Sequence, residues 1–147
     1  MKIYLDNCCF NRPYDSQTAG RVKLETEAKL HIQSRVMDCK LTLVWSFMLD
    51  YENSANPYPD QREAIAEWKA LAKQHIPALE SIRERGLRIE SATGIKSKDA
   101  LHLACAIESG CDYLITTDRA FLKKAQAMRE IQTFNPVDFV MILEDSQ

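Results

Sequence analysis

With 147 residues, 46% of them hydrophobic and 27% charged, the chain can bury a core of roughly two thirds of its unfolded surface. It is too short for separate catalytic and regulatory domains, so residues 1–147 read as one unit. The 19 Lys and Arg against 21 Asp and Glu give a formal charge of −2, which excludes a binder of nucleic acid or anionic membrane that works by bulk positive charge.

The apolar run Leu41 to Leu49, bounded by Lys40 and Asp50, falls far short of the about 18–20 residues of a membrane span. Met1-Lys2 leads straight into a strand-like run without the features of a secretory signal, so a cytoplasmic address away from the membrane is expected. The five cysteines (Cys8, Cys9, Cys39, Cys105, Cys111) form no C-x-x-C pair and suggest neither disulfides nor zinc. They are expected as small buried or partly buried hydrophobes in a reducing compartment.

In chain order, Lys2 to Leu5 reads as a strand closed by Asp6, and Asn7 to Ser16 as a loop. From about Thr18 to Cys39, Leu24, Ala28, Ile32 and Val36 form one apolar row. Lys23, Glu25, Glu27, Lys29 and Arg35 occupy other faces, and Glu25 stands four residues before Lys29, as in a long amphipathic helix. Leu41 to Trp45 is a second strand, with Ser46 capping a short helix to about Asn53.

Pro57 and Pro59 break the chain before a helix from about Asp60 to Gln74, and Pro77 opens another that ends at Gly86. Leu87 to Ile89 reads as a short strand, Ser91 to Lys96 as a polar loop, and Ser97 as the cap of a deeply buried helix ending at Gly110. Tyr113 to Thr116 is a strand, Thr117-Asp118 caps a helix holding Phe121, Leu122, Ala125 and Met128, and Ile131 to Phe134 precedes a terminal helix after Asn135-Pro136. Strands alternating with helices point to an α/β fold with a parallel sheet. Trp45 and Trp68 read as core.

Ligand sites of such sheets lie beyond the carboxyl ends of the strands, where strand order reverses. Asp6 ends the first strand, Glu52 lies on the helix after the second, Asp99 in the first turn of the buried helix, and Asp118 just past the Tyr113 strand. Singly, each has a plain structural use as a cap, a dipole partner or a turn residue. Together, four acids around one cleft repel one another unless a cation sits among them, and oxygen ligands without a Cys/His set favour Mg²⁺ or Mn²⁺. Asp50 competes with Glu52 for the second position; Glu52 is preferred because it lies three and four residues after the apolar Leu49 and Met48.

The strand-end I-Y-L-D-N, the acid six residues after Ser46 in S-F-M-L-D-Y-E-N, the run K-D-A-L-H-L-A-C-A-I-E-S-G-C-D-Y-L-I-T-T-D and the closing F-N-P-V-D-F together resemble the PIN domain, in particular small stand-alone VapC-like proteins. The resemblance spans nearly the whole chain. It implies a three-layer α/β/α domain with a central parallel sheet of four to five strands, and a metal-dependent endoribonuclease site. Asp6, Glu52, Asp99 and Asp118 match the family's acids, with Asp6, Asp99 and Asp118 the main metal ligands. Thr116 matches the hydroxyl residue two before the last acid, and Asn7 supports the site. Where most relatives carry Thr or Ser after the first Asp, this chain has Asn7-Cys8-Cys9.

A phosphodiester attacked by water asks for an activated water and for neutralised phosphoryl oxygens, both of which Mg²⁺ or Mn²⁺ on carboxylates supplies. RNA contacts are expected from Arg12, Tyr14, Lys96, Lys98 and Arg119, which neighbour the acids in sequence. His102, one turn beyond Asp99, reads first as a satisfied core histidine, with a supporting partner of the acids as the alternative. The resemblance further implies the toxin of a toxin–antitoxin pair, with an antitoxin protein as partner; a homodimer would use apolar surface on the second helix and around Trp68 that serves equally as core.

Two other classes compete. A catalytically impaired module binding RNA or protein would keep the fold but lose acids, and all four are present. A phosphoacceptor receiver domain would need paired acids near the first strand and a Lys at a late strand end, and this chain has only Asp6 before residue 15 and no Lys in its last strand. Counting the four acids as neutralised ligands moves the formal charge from −2 to +2, so the acidic composition excludes only a bulk-charge binder of RNA.

Overall fold

The computed structural model describes residues 1–146. Five strands, β1 (Lys2–Leu5), β2 (Thr42–Ser46), β3 (Gln74–Ile76), β4 (Tyr113–Ile115) and β5 (Gln132–Phe134), form one all-parallel sheet in the order β3-β2-β1-β4-β5. The central strands are buried on both faces, as a parallel sheet covered by helices requires. Helices α1 (Asn7–Asn11), α2 (Gly20–Met37), α3 (Phe47–Ser54), α4 (Pro59–Leu71), α5 (Glu80–Thr93), α6 (Ser97–Glu108), α7 (Arg119–Ala125) and α8 (Pro136–Asp145) complete a three-layer α/β/α fold. None of them is long and apolar enough to cross a membrane.

The chain builds outward from β1 to β3, then returns to the other side of β1 for β4 and β5. Strand order therefore reverses between β1 and β4, and the pairing of Leu5 with Ile115 brings the residues after both strands together. The turns that follow the strands are set by capping side chains. Asp6 accepts the Asn7 N–H (2.7 Å), Ser46 accepts the Leu49 N–H (3.3 Å) and Asp118 accepts the Phe121 N–H (3.1 Å), starting α1, α3 and α7.

Several sequence expectations are corrected. The segment expected as a loop after Asp6 is helical, α1 followed by a 3₁₀ turn at Arg12–Tyr14, because Asp6 caps it and Cys9 and Phe10 bury beneath it. Gly86 does not end a helix, and Leu87 to Ile89 is not a strand. α5 runs on to Gly94, whose φ of 74° supplies the left-handed terminus, with Ile82, Gly86 and Ile89 as its buried face.

A Cβ on Gly86 would stand 3.0 Å from Leu101 Cδ2, so this glycine permits close approach of α5 and α6. The third strand is instead Gln74–Ile76, a short half-exposed edge that pairs with β2 and carries no apolar run to announce it. Lys96, not Ser97, occupies the N-cap position of α6. Cys39 is exposed, unlike Cys9, Cys105 and Cys111, which are buried. Trp45 is 2% exposed and Trp68 packs half-buried against the core.

Helix α2 departs most from its pattern. Leu24, assigned to the apolar row, is 56% exposed, while Glu25 and Lys29 are buried at 1% and 4%. They do not pair with each other: Glu25 meets Arg12 (3.2 Å) and Arg21 (3.5 Å), and the Lys29 ammonium lies 5.5 Å from both the Phe10 and Trp68 ring centroids. Ring faces compensate part of the lost hydration of this cation.

Burial, against a weaker opposing influence from Cys9, lowers the Lys29 amine from 10.5 to about 8. Below pH 8 the folded chain carries the full cost of the buried charge; from pH 8 to 10.5 it loses its proton before the unfolded chain does, and that cost fades. Lys29→Met is therefore expected to raise the Tm at pH 7 by about 2–6 °C, with a smaller gain at pH 10. Thermal unfolding at both pH values checks this, and a lower Tm at pH 7 would show that the ammonium is net stabilising.

Candidate active site

Asp6 is 5% exposed and forms the floor of the site. Its backbone N–H donates to the Ile115 carbonyl (2.9 Å), continuing the β1–β4 ladder by one residue. Thr116 Oγ1 donates to Asp6 Oδ2 (2.9 Å) and accepts the Asp118 N–H (3.1 Å), so one buried hydroxyl fixes both the carboxylate and the start of α7. A thiol also joins Asp6 here: Cys8 Sγ donates to Asp6 Oδ2 (3.4 Å) and lies 3.4 Å from Thr116 Oγ1.

Glu52 projects from α3 and hydrogen-bonds His102 Nε2, which also lies 3.6 Å from Asp6 Oδ1. One ligand atom each from Asp6, Glu52 and His102 fall within 4.8 Å of one another. Asp50 is committed elsewhere, accepting from Trp45 Nε1 (2.8 Å) and Lys69 Nζ (3.1 Å), so Glu52 is the carboxylate that faces the site.

His102 is both core and site, joining the two roles that the sequence offers as alternatives. Fully buried, it has its Nδ1 2.5 Å from the Tyr4 hydroxyl, which lies 2.5 Å from Ser46 Oγ. A carboxylate can only accept, so Nε2 carries the proton directed at Glu52. The chain Ser46–Tyr4–His102–Glu52 begins at the cap of α3 and ends on a side chain of that helix. Two spacings hint at it: His102 is one turn after Asp99 on α6, and Tyr4 shares a strand face with Asp6.

Asp99, in the first turn of α6, is raised to about 6 by burial first and then by the charges of Asp6 and Asp118, with a smaller contribution from Glu52 against His102. Asp99 and Asp118 line one small cleft with Lys96 and Lys124. Among the described residues, no Lys or Arg pairs within 4.0 Å of Asp6, Glu52, Asp99 or Asp118. For His102, burial lowers the pKa, but the hydrogen bond to Glu52 and the charges of Asp6, Glu52 and Asp99 outweigh it and leave the net value raised. The donor set is thus rich in oxygen, mutually repulsive and short of positive charge, which fits a hard divalent cation.

The expected RNA-contacting residues divide. Tyr14, Lys96, Lys98 and Arg119 are exposed, Lys98 lying 5.4 Å over the Tyr51 ring. Arg12 is engaged by Asp15 (3.0 Å) and the buried Glu25. The Asn7 backbone N–H binds Asp6, and the residue lines a neighbouring cleft.

Carboxylates gathered at the point where a parallel sheet reverses its strand order define an α/β protein with an acidic catalytic-type centre. The chain belongs to the PIN domain family, whose model matches residues 3–127 and whose members are generally nucleases. No curated protein matches its sequence significantly.

Among solved structures it is similar to VapBC-1 from nontypeable Haemophilus influenzae, with 17% identity and a TM-score of 0.60 over 92% of this chain and 98% of that one. VapBC2 from Rickettsia felis, solved bound to a DNA fragment from their promoter, gives 12% identity and 0.57 over 92% and 98%. PAE2754 from Pyrobaculum aerophilum gives 16% and 0.58 over 100% and 91%. At these identities the likeness speaks to the fold.

Tyr4→Phe keeps the ring, which meets His102 edge-on at 5.5 Å, but removes the hydroxyl between two buried polar groups. It is expected to cost about 1–3 kcal/mol and to lower the Tm by several degrees. Chemical denaturation measures this directly; an unchanged midpoint would mean that the hydroxyl adds no net stability.

Proposed function

We propose that this protein is a metal-dependent endoribonuclease that hydrolyses RNA phosphodiester bonds, and that it acts as the toxin of a toxin–antitoxin pair with a cognate antitoxin as its protein partner. The supporting observation is the convergence of Asp6, Glu52 and His102 beside a half-buried Asp99 whose pKa is raised to about 6, with no Lys or Arg among the described residues ion-paired to Asp6, Glu52, Asp99 or Asp118. Family membership and the VapBC neighbours favour nuclease and toxin roles over other acid-rich α/β proteins.

In this reading Asp6, Asp99 and Asp118 hold Mg²⁺ or Mn²⁺, with Glu52 as a further ligand or as the carboxylate that orients the attacking water. The bound cation supplies water activation near neutral pH and neutralises phosphoryl oxygens. The protein's own side chains do the rest. Thr116 and Cys8 occupy Asp6 Oδ2 on its buried side. His102 holds Glu52 in one rotamer, so the carboxylate needs little reorganisation when substrate arrives. Asp118 spends one oxygen on the Phe121 N–H and has the other available. Lys96, Lys98 and Arg119, exposed near the acids, are available to phosphates.

Purified full-length protein is expected to cleave single-stranded RNA with Mg²⁺ or Mn²⁺ and to stop when EDTA is added. Asp99→Asn is expected to lower cleavage by about 100-fold or more, since it removes a ligand and a charge together. Millimolar Mn²⁺ should raise the Tm of the wild type clearly more than that of Asp99→Asn, because a ligand that binds only the folded state stabilises it. Full cleavage by a pure Asp99→Asn preparation would overturn the assignment.

A further inference from the structure

A cleft of about 670 Å³ opens directly beside Glu52, between the turn that follows α1 and the turn that joins α3 to α4. Its size suits a small organic group rather than a helix or a strand. The lining is chemically narrow: Asn7, Asn11, Asn56 and Gln61 supply amides, and Tyr14 and Tyr58 supply rings. The charged residues in the lining, Asp15 and Glu52, are both acids, and no Lys or Arg contributes.

Two of the four amides are already spent on the wall. Asn11 Nδ2 donates to the Asn7 carbonyl (3.1 Å), Asn56 Nδ2 donates to Asn11 Oδ1 (3.2 Å), and Asn56 Oδ1 accepts the Tyr58 N–H (3.0 Å). Asn7 is different. Its Oδ1 is buried without a hydrogen-bond partner, although it stands in the residue next to Asp6. A buried acceptor left unpaired costs about 1–3 kcal/mol, so a donor on an incoming group is its natural complement.

The rings are equally suggestive. Tyr14 is 47% and Tyr58 61% exposed, yet each is carried on stiff backbone, Tyr14 after Pro13 and Tyr58 between Pro57 and Pro59. Exposed rings on prolyl-restricted backbone lose little freedom when something stacks on them.

We propose that this cleft reads a single unpaired nucleobase of the substrate RNA next to the scissile phosphate, with Tyr14 and Tyr58 stacking on the base and Asn7 reading its edge. The inference rests on the nuclease reading above. A phosphate is disfavoured by the two carboxylates, whereas a neutral base offers a face for the rings and adjacent donors and acceptors for an amide. A side-chain amide makes its best bidentate match with adenine, so an adenine preference is expected. Affinity for the backbone would then come from the cations at the starts of α6 and α7, and selectivity from the amide cleft.

The test uses the full chain carrying Asp99→Asn, to suppress cleavage, with Mn²⁺ present. Fluorescence anisotropy would measure its binding to heptameric oligo(A), oligo(C), oligo(G) and oligo(U). One base should be favoured by about tenfold, and adding Asn7→Ala should collapse that ratio to about twofold. Adding Tyr58→Ala should weaken all four by about fivefold or more. Neither side chain supports the fold: the Asn7 amide makes no hydrogen bond among the described residues, and the Tyr58 side chain is largely in solvent. An unchanged ratio in the Asn7 variant, or unchanged affinities in the Tyr58 variant, would overturn the proposal and leave the cleft to another occupant such as a partner peptide.

Cleavage by the wild type separates the two readings. Cleavage with no base selectivity refutes the cleft and keeps the nuclease. Selective binding lost in the Asn7 variant, without cleavage by the wild type, refutes the nuclease and keeps the cleft.

Discussion

The hydrogen bond from Thr116 to Asp6, 2.9 Å long across the ends of β1 and β4, is the contact on which the site depends. It exists because two strands 110 residues apart in sequence pair in register, Leu5 with Ile115, at the place where the sheet changes direction. A slip of one residue would turn Asp6 to the other face and take the carboxylate out of the cleft. The apolar side chains of Ile3, Leu5, Leu114 and Ile115, all fully buried, guard that register, so the packing of the sheet and the chemistry of the site are fixed by one constraint.

Carboxylates held this way oppose one another. Asp99 registers the conflict, because burial and the charges of Asp6 and Asp118 together raise it to about 6. The protein relieves part of this with an internal network rather than with a surface cation: His102 bonds Glu52, and Tyr4 with Ser46 secures the other side of the imidazole. That network is fully buried at Tyr4 and His102, which strengthens its hydrogen bonds and makes it stiff. Stiffness here would suit the proposed catalysis, since groups already aimed at developing charge cost little to reorganise.

Legibility from sequence followed the range of the interactions. The helix α6 and the central strands were readable because burial writes a local pattern, and the positions of Asp6 and Asp118 because they sit where strands give way to helices. The misreadings came where a distant partner overrode a local rule. Gly86 looks like a helix end until Leu101 is placed 3.0 Å from where its Cβ would stand. Glu25 and Lys29 look like a surface pair until Arg12 and the rings of Phe10 and Trp68 claim them separately. His102 looks like core because it is core, and only the fold shows that its second nitrogen reaches Glu52. β3 was invisible because an edge strand of three residues needs hydrogen bonds to β2 more than it needs apolar side chains.

The overall charge takes its meaning from this distribution. A formal −2 spread evenly would repel a polyanion, but the acids of the site are gathered around a position suited to a divalent cation, and exposed Lys96, Lys98 and Arg119 stand close to them in the chain. Positive potential is then local and conditional on the cation. Away from it the adjoining cleft presents amides, rings and the two acids Asp15 and Glu52, with no Lys or Arg in its lining. On the proposed function, a surface built in this way has a reason to distinguish the phosphate of an RNA substrate from the base beside it: a bound cation and the lysines would attract one, and the cleft, whose charges are acids only, would accommodate the other. Bulk composition averages the two regions and conceals both.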